Sequence, residues 1–330
     1  REFCDDMKDY ELWNEQNITR FWTKAPNPEH YGRFVKAAAL AIRAECPDAR
    51  IVFGGLASYD DIDLFNRWGF LRRVFEAHPD LCASFDVLAI HPYTWFQYDP
   101  PEHDTLSPDA PMESQTAMTV IAREILEAGG CGDVPIWFTE VGWPSYDLTE
   151  EQVGRFAARS FLLAARDGVE AYYWYTFWDS RPTTEGLRPH EAYFGLFGWA
   201  GEDGTERREK PAWTALKAIL ARLGDARFAR DLAADLGLPD DVHVLAFLDG
   251  AGTVTLALWD GREKPDETPQ GVGEGGPETR FELVLPLPMG FAVNGAWDIA
   301  GDAILVPGGG SEASITLTTS PIYLQMAAQP

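Results

Sequence analysis

The chain has 330 residues, enough for a full core and about two domains. It is strongly acidic, with 52 Asp and Glu against 27 Lys and Arg and a net charge of −25; this argues against nucleic acid, anionic membranes and polyanionic substrates, all of which are held by Lys and Arg. Hydrophobic residues make up 45% of the chain, and its 12 Trp, 11 Tyr and 19 Phe serve core packing first, although rings also make platforms for the C–H faces of sugars.

From residue 9 to about 222, short apolar runs alternate with helical patterns. YELWNE (10–15) reads as a strand and HYGRFVKAAALAIRAECP (30–47) as a helix stopped by Pro47. RIVFGG (50–55), FDVLAIHPY (85–93), VPIWFTEVGW (134–143) and VEAYYWYTFWD (169–179) read as strands. Helices are expected over 63–79, 114–130, 149–168 and 210–224; Thr149 followed by Gln152 fits a capping box, and Pro211 suits a first helical turn. The strands are near-continuous apolar runs rather than alternating ones, which marks strands buried on both faces of a parallel sheet. After about residue 225 the pattern changes: 242–261 reads as two strands around a Gly-rich turn, and 280–288, 295–301 and 313–327 read as further strands of an all-β unit. The expected boundaries are 1–226 for the α/β part and 227–330 for a β-sandwich. Residues 262–278 read as a polar loop.

Cys4, Cys46, Cys82 and Cys131 form no close Cys/His pattern, so zinc is not expected. They read as buried thiols, with at most one bridge, and they leave the redox compartment open. A secreted or periplasmic location is favoured over a cytoplasmic one. The sequence has no apolar run of about 18 residues that would span a membrane. No Gly-rich phosphate loop follows any strand, so neither a nucleotide nor any other cofactor is expected.

Polar and aromatic groups gather at the C-terminal ends of the expected strands, where β/α barrels carry their active sites. Glu15 ends the first strand and Glu140 the fourth, 125 positions and three βα units apart. Barrel units average about 30 residues or more, so both carboxylates can face one pocket. Two such carboxylates suit glycoside hydrolysis, one protonating the leaving oxygen and the other attacking the anomeric carbon or activating water. Either Glu taken alone is more often structural or solvated.

WNEQN (13–17) resembles the acid/base strand of the large (β/α)8-barrel clan of retaining glycoside hydrolases, and FTEVGW (138–143) resembles its nucleophile strand. HPY (91–93) matches the His and Tyr that the clan often carries after its sixth strand, YYWYTFWDS (172–180) is similar to the eighth strand, and YFGLF to KPAWTAL (193–216) is similar to the closing stretch. With the trailing β-sandwich, the chain is most similar to glycoside hydrolase family 39 and its relatives; GWPS (142–145) also echoes family 17 glucanases.

The resemblance implies a partial TIM (β/α)8 barrel, strands four to eight, followed by a C-terminal β-sandwich domain. It implies a β-glycosidase with a retaining double-displacement mechanism and a carbohydrate substrate. Glu15 would be the general acid/base, Glu140 the nucleophile, and Asn14 the contact to the sugar 2-hydroxyl. Tyr93 or His91 would donate a hydrogen bond to Glu140; a buried core role is the alternative for His91. Trp178 and Tyr175 are candidate walls for the sugar, Trp143 and Trp95 candidate outer platforms, and Trp13 is expected to fill the barrel. The long segments 94–111 and 180–193, the latter with Arg181 and Arg188, are expected to shape the cleft. Strands one to three of the clan have no counterpart, so the chain reads as a cut barrel with an open edge, and self-association closing that edge is a partner expectation. The competing readings are a non-catalytic carbohydrate-binding or scaffold protein and an open-sheet α/β protein of other chemistry; both carboxylates disfavour the first, and the lack of a cofactor loop the second.

Overall fold

A computed structural model of the chain describes residues 3–58, 68–94, 99–103, 113–146, 148–180, 189–200, 206–262, 279–309 and 311–328. All but the first residue of the expected loop at 262–278 and most of the segments expected to shape the cleft, with Trp95, Arg181 and Arg188, lie outside the described residues. The chain forms two compact units. Among the described residues no helix is long and apolar enough to cross a membrane.

The first unit comprises Arg1–Phe96, His103–Val141 and Asp167–Trp174. Its strands β1 (Asp9–Asn14), β2 (Arg50–Ala57), β3 (Val87–His91), β4 (Ile136–Val141) and β5 (Ala171–Trp174) pair in chain order as one parallel sheet. Helices α1 (Pro28–Glu45), α2 (Gly69–Ala77) and α3 (Gln115–Ala128) connect the first four strands. The starts of α1 and α3 have a local cause. Asn27 caps α1 by accepting from His30 N at 2.8 Å, with Pro28 in the first turn, and Ser114 caps α3 by accepting from Ala117 N at 3.2 Å.

Alternation along the strands sends Val52, Val87, Ala89 and Trp137 into one apolar cluster on one face. Phe53 points the other way, edge-on to Tyr31 of α1 and to Phe85. The Tyr31 hydroxyl donates to Leu12 O at 2.7 Å and accepts from Gly54 N at 2.9 Å, tying α1 to both β1 and β2. Burial pushes this phenol's pKa well above its ordinary value.

The cysteines correct the sequence reading. There are two bridges, Cys4–Cys46 and Cys82–Cys131, closing separations of 42 and 49 residues, and no cysteine is free. Cys4 and Cys46 lie in the segments leading into β1 and β2, and Cys82 and Cys131 in those leading into β3 and β4. Each bridge therefore joins the approaches to two adjacent parallel strands, a proximity that only the sheet order creates.

The second unit comprises Gln97–Glu102, Gly142–Arg166 and Tyr175–Pro330. It holds α4 (Glu150–Arg166), the hairpin β6 (Phe197–Ala200) and β7 (Glu206–Glu209), and α5 (Pro211–Leu223). Next come β8 (Arg227–Asp231), β9 (Val242–Leu248), β10 (Val254–Asp260), β11 (Phe281–Pro286), β12 (Phe291–Trp297), β13 (Gly308–Gly309), β14 (Glu312–Leu317) and β15 (Ile322–Ala328). The capping box of α4 is formed: Thr149 N donates to Gln152 Oε1 at 2.9 Å, and Gln152 N to Thr149 Oγ1 at 3.2 Å.

Two antiparallel sheets, ordered β12-β15-β10-β9-β8 and β11-β14-β13, share one apolar cluster that includes Val244, Leu258, Leu283, Ile315 and Leu324. The compact unit starts earlier than the boundary expected at residue 227. Leu162, Leu163 and Ile219 of α4 and α5 pack with Leu245, Phe247, Trp259 and Tyr323, so both helices share a core with the larger sheet. The single run expected at 313–327 is two strands broken before Pro321.

Candidate active site

The site is assembled at the C-terminal ends of β1, β3 and β4, all in the first unit. At the end of β1 the backbone is contorted: Trp13 and Glu15 have φ of 88° and 48°, the left-handed region that costs a non-glycine residue about 1–3 kcal/mol. Hydrogen bonds to β2 hold this turn. Glu15 N donates to Gly55 O at 2.8 Å, and the buried Gln16 side chain donates to Gly54 O at 2.8 Å. The Asn17 amide donates to Ala57 O and accepts from Ala57 N, both at 3.0 Å, so a side chain carries on the strand ladder after the strand has ended. This is why β1 places a carboxylate in a conformation that a regular strand would refuse.

His91 ends β3 and is buried. A Cβ on Gly55 would lie 2.1 Å from its Nε2, so the ring lies against bare β2 backbone. Nδ1 of His91 is 3.0 Å from Glu15 Oε1 and 3.8 Å from Glu140 Oε2. Nε2 is 3.1 Å from Thr139 Oγ1, and the Thr139 hydroxyl donates to Glu11 Oε1 at 3.0 Å. Glu11 Oε1 also accepts from Gly55 N at 2.7 Å. Tyr93 donates to Glu140 Oε1 at 2.6 Å. Burial of His91 opposes its charge, but the bond to Glu15 and the negative field of Glu140, Glu15 and Glu11 outweigh it and raise the ring's pKa above its ordinary value.

One donor atom each from Glu15, His91 and Glu140 lies within 4.8 Å of the other two. That spacing would also suit a metal ion. Here, however, His91 is already engaged by Glu15 and Thr139, and Glu140 by Tyr93. Their arrangement is a histidine–carboxylate pair beside a second carboxylate that accepts from a tyrosine.

The structure thus brings together Glu15, His91, Tyr93 and Glu140, and it divides the two alternatives left for Glu140: Tyr93 bonds Glu140, and His91 bonds Glu15. Asn14 lies at the exposed end of β1, opposite Gly55. Trp13 is 50% exposed, against its expected core role; its left-handed backbone turns the ring outward, where Nε1 donates to Phe21 O at 3.0 Å and the ring meets Trp22 and Phe34 edge-on.

The remaining described aromatic candidates belong to the second unit. Trp143 is 1% exposed, its Nε1 donating to Asp99 O at 2.9 Å, so it packs in the interior and presents no outer platform. Trp178 is half-buried and carries the Arg207 guanidinium 3.6 Å from its ring centroid, so a cation already covers one face. Tyr175 meets Phe194 edge-on and precedes a cis peptide bond to Thr176.

Three contributors escape a reading by motif. Glu11 is a charge inside an apolar strand, an even number of positions before Glu15. Thr139 is the polar residue next to Glu140, and Gly55 is the second glycine of a pair at a strand end. Each carried a signal in its residue type, but its partner lies 36 to 128 positions away.

No family model matches the chain. Its fold is shared with solved glycoside hydrolases. A family 39 glycoside hydrolase from the gut symbiont Bacteroides cellulosilyticus WH2 superposes with a TM-score of 0.69 at 20% identity, covering 98% of this chain and 59% of that enzyme. A monomeric β-xylosidase from Caulobacter crescentus CB15 gives a TM-score of 0.60 at 19% identity, covering 97% and 69%. A family 51 α-L-arabinofuranosidase from Bifidobacterium longum gives 0.63 at 10% identity, covering 97% and 67%. The chain thus spans about three fifths to two thirds of the length of these enzymes, and at such identities the likeness establishes the fold.

Proposed function

We propose that the protein is a glycosidase that cleaves β-linked glycosides with retention of configuration. On this reading the parallel sheet is strands four to eight of a (β/α)8 barrel and the C-terminal sheets are a β-sandwich. The observation that carries the reading is that carboxylate oxygens of Glu15 and Glu140, at the C-terminal ends of β1 and β4, come within 4.8 Å of each other although two strands lie between them in the sheet. Retaining enzymes place the pair about 5–5.5 Å apart, whereas inverting enzymes need about 6.5–9.5 Å to admit a water.

Glu140 is the nucleophile. The short bond from Tyr93 stabilises its ionised form and aims it. As Glu140 attacks, the anomeric carbon–oxygen bond breaks and Glu15 passes a proton to the leaving oxygen. In the second half, water attacks the anomeric carbon, Glu15 takes the water's proton, and Glu140 leaves. Asn14 is the proposed contact to the 2-hydroxyl. Tyr175 and Trp178 remain proposed sugar contacts on the resemblance of their stretch alone.

The test is a panel of aryl β-glycosides with the anomeric configuration of the first product followed by NMR. A β-configured product and loss of turnover in Glu140→Gln are expected. Turnover that survives Glu140→Gln, or an α-configured first product, overturns the mechanism. A folded wild-type protein that binds sugars without turning any over would instead be a carbohydrate-binding protein.

A further inference from the structure

The mechanism needs Glu15 to be an acid in one step and a base in the next, and the structure holds a device suited to that. The inference rests on the glycosidase reading. Three groups lie in line behind Glu15: His91, Thr139 and Glu11. A carboxylate can only accept a hydrogen bond, so the Thr139 hydroxyl spends its proton on Glu11 at 3.0 Å. Thr139 Oγ1 is then an acceptor toward the ring nitrogen 3.1 Å away, and that nitrogen, His91 Nε2, must carry a hydrogen. Glu11 is itself fixed by Gly55 N at 2.7 Å, and the bare Cα of Gly55 leaves room for the ring.

We propose that Glu11 and Thr139 are positioning residues that hold His91 in the form protonated on Nε2, so that the single exchangeable proton of the site lies between His91 Nδ1 and Glu15 Oε1. On Nδ1 the proton leaves Glu15 an anion, ready to take a proton from water. On Oε1 it leaves His91 neutral and Glu15 an acid. The exchange breaks one N–H bond, forms one O–H bond and needs no other reactant. When Glu15 protonates the leaving oxygen, the carboxyl O–H breaks as the alcohol O–H forms.

The charged groups facing His91 are Glu11 and Glu15 from the β1 segment and Glu140 from β4, with Tyr93 bonded to Glu140; β2 presents only the backbone of Gly55. Without the Thr139 hydroxyl, Nε2–H would lose its acceptor and the neutral ring would turn to the Nδ1–H form. That form donates permanently to the Glu15 anion and deprives the enzyme of its acid.

The experiment uses the whole chain with 15N-labelled histidine, and Thr139→Val with Thr139→Ser as its conservative partner. In the wild type, the 15N shifts of His91 should show that the proton lost on raising the pH leaves Nδ1, with Nε2 protonated throughout. Thr139→Val should reverse that preference and Thr139→Ser restore it. In turnover, Thr139→Val should lose about tenfold or more in kcat/KM on glycosides with poor leaving groups, which need acid assistance, and keep activity on dinitrophenyl glycosides. Its alkaline limb should also move to lower pH. A neutral His91 that carries its proton on Nδ1 in the wild type overturns the proposal, as does equal loss on both substrates with an unmoved pH profile. Absence of turnover in the wild type would strike the glycosidase reading instead, and the 15N shifts would still decide the relay.

Discussion

The interior of the second unit carries an ion pair whose removal has a calculable effect. Arg159, on the buried face of α4 and 0% exposed, donates Nε to Glu102 Oε1 at 2.8 Å and Nη2 to Glu102 Oε2 at 2.6 Å. Trp259 Nε1 adds a third bond to Glu102 at 2.9 Å. Burial alone would raise the Glu102 carboxyl, but the charge and hydrogen bonds of Arg159 outweigh it and bring its pKa from the usual 4.5 to about 2. Each tenfold shift in acidity is about 1.36 kcal/mol, so the pairing favours the folded state by about 3 kcal/mol at neutral pH. The sign follows from the depressed value: the contribution is complete above about 4.5 and is lost as pH falls toward 2.

Arg159→Met keeps most of the side chain's volume and leaves a buried carboxylate without its guanidinium partner, while the Trp259 indole N–H remains. The expected loss of stability at pH 7 is about 3–5 kcal/mol. The pH response should also reverse. The orphaned carboxyl now titrates above its ordinary value, so lowering the pH from 7 to 5 should narrow the gap to wild type. Urea unfolding of the two proteins at both pH values reads this directly. A variant within about 1 kcal/mol of wild type at pH 7, or a gap that widens on acidification, would refute the assignment of Arg159 as the group that holds Glu102 ionised.

Three further outcomes follow from the site. Gly55→Ala places a methyl group 2.1 Å from His91 Nε2, so it should displace the ring and cost turnover more than fold, read as a drop in kcat with retained far-UV circular dichroism. Tyr93→Phe removes the 2.6 Å bond to Glu140 and should slow formation of the glycosyl-enzyme, lowering kcat/KM about 10-fold or more with KM little changed. Glu15→Ala should retain turnover only on activated aryl glycosides, and added azide should speed it while giving a β-glycosyl azide; no azide adduct would remove Glu15 from the acid/base role.

Most of the architecture was legible in one dimension because it depends on local pattern. Continuous apolar runs such as IVF (51–53) and VLAI (87–90) have no polar face to show water, so a sheet covered on both sides follows from them. Asn27, Ser114 and Thr149 mark helix starts through bonds to residues three positions on. What escaped notice has no local cause. β7 is all charged and exposed, and β8 has one large apolar residue, so neither has the alternation that marks a strand; pairing with β6 and β9 makes them strands. The outward Trp13 follows from a left-handed backbone that no residue preference announces. Glu15 and Glu140 were legible as a candidate carboxylate pair, whereas which of them His91 and Tyr93 each bond depends on which carboxylate each reaches.

The two ends of the parallel sheet meet opposite demands, and the disulfides test this. Both bridges lie in segments that enter strands, while Glu15, His91 and Glu140 lie where strands end, so in a parallel sheet the bridges and the site occupy opposite ends. The site end carries two left-handed residues, each of which destabilises the fold. The entry end constrains the unfolded chain: closing loops of 42 and 49 residues is worth about 4 kcal/mol each in the chain-entropy account. Such bridges persist in an oxidising compartment and open in a reducing one. Cys82→Ser with Cys131→Ser should therefore lower the urea midpoint and leave kcat/KM unchanged under conditions where both proteins are folded. A fall in kcat/KM at full folding would mean that the strand entries transmit geometry to the catalytic end, and that the sheet is not the rigid spacer this division requires.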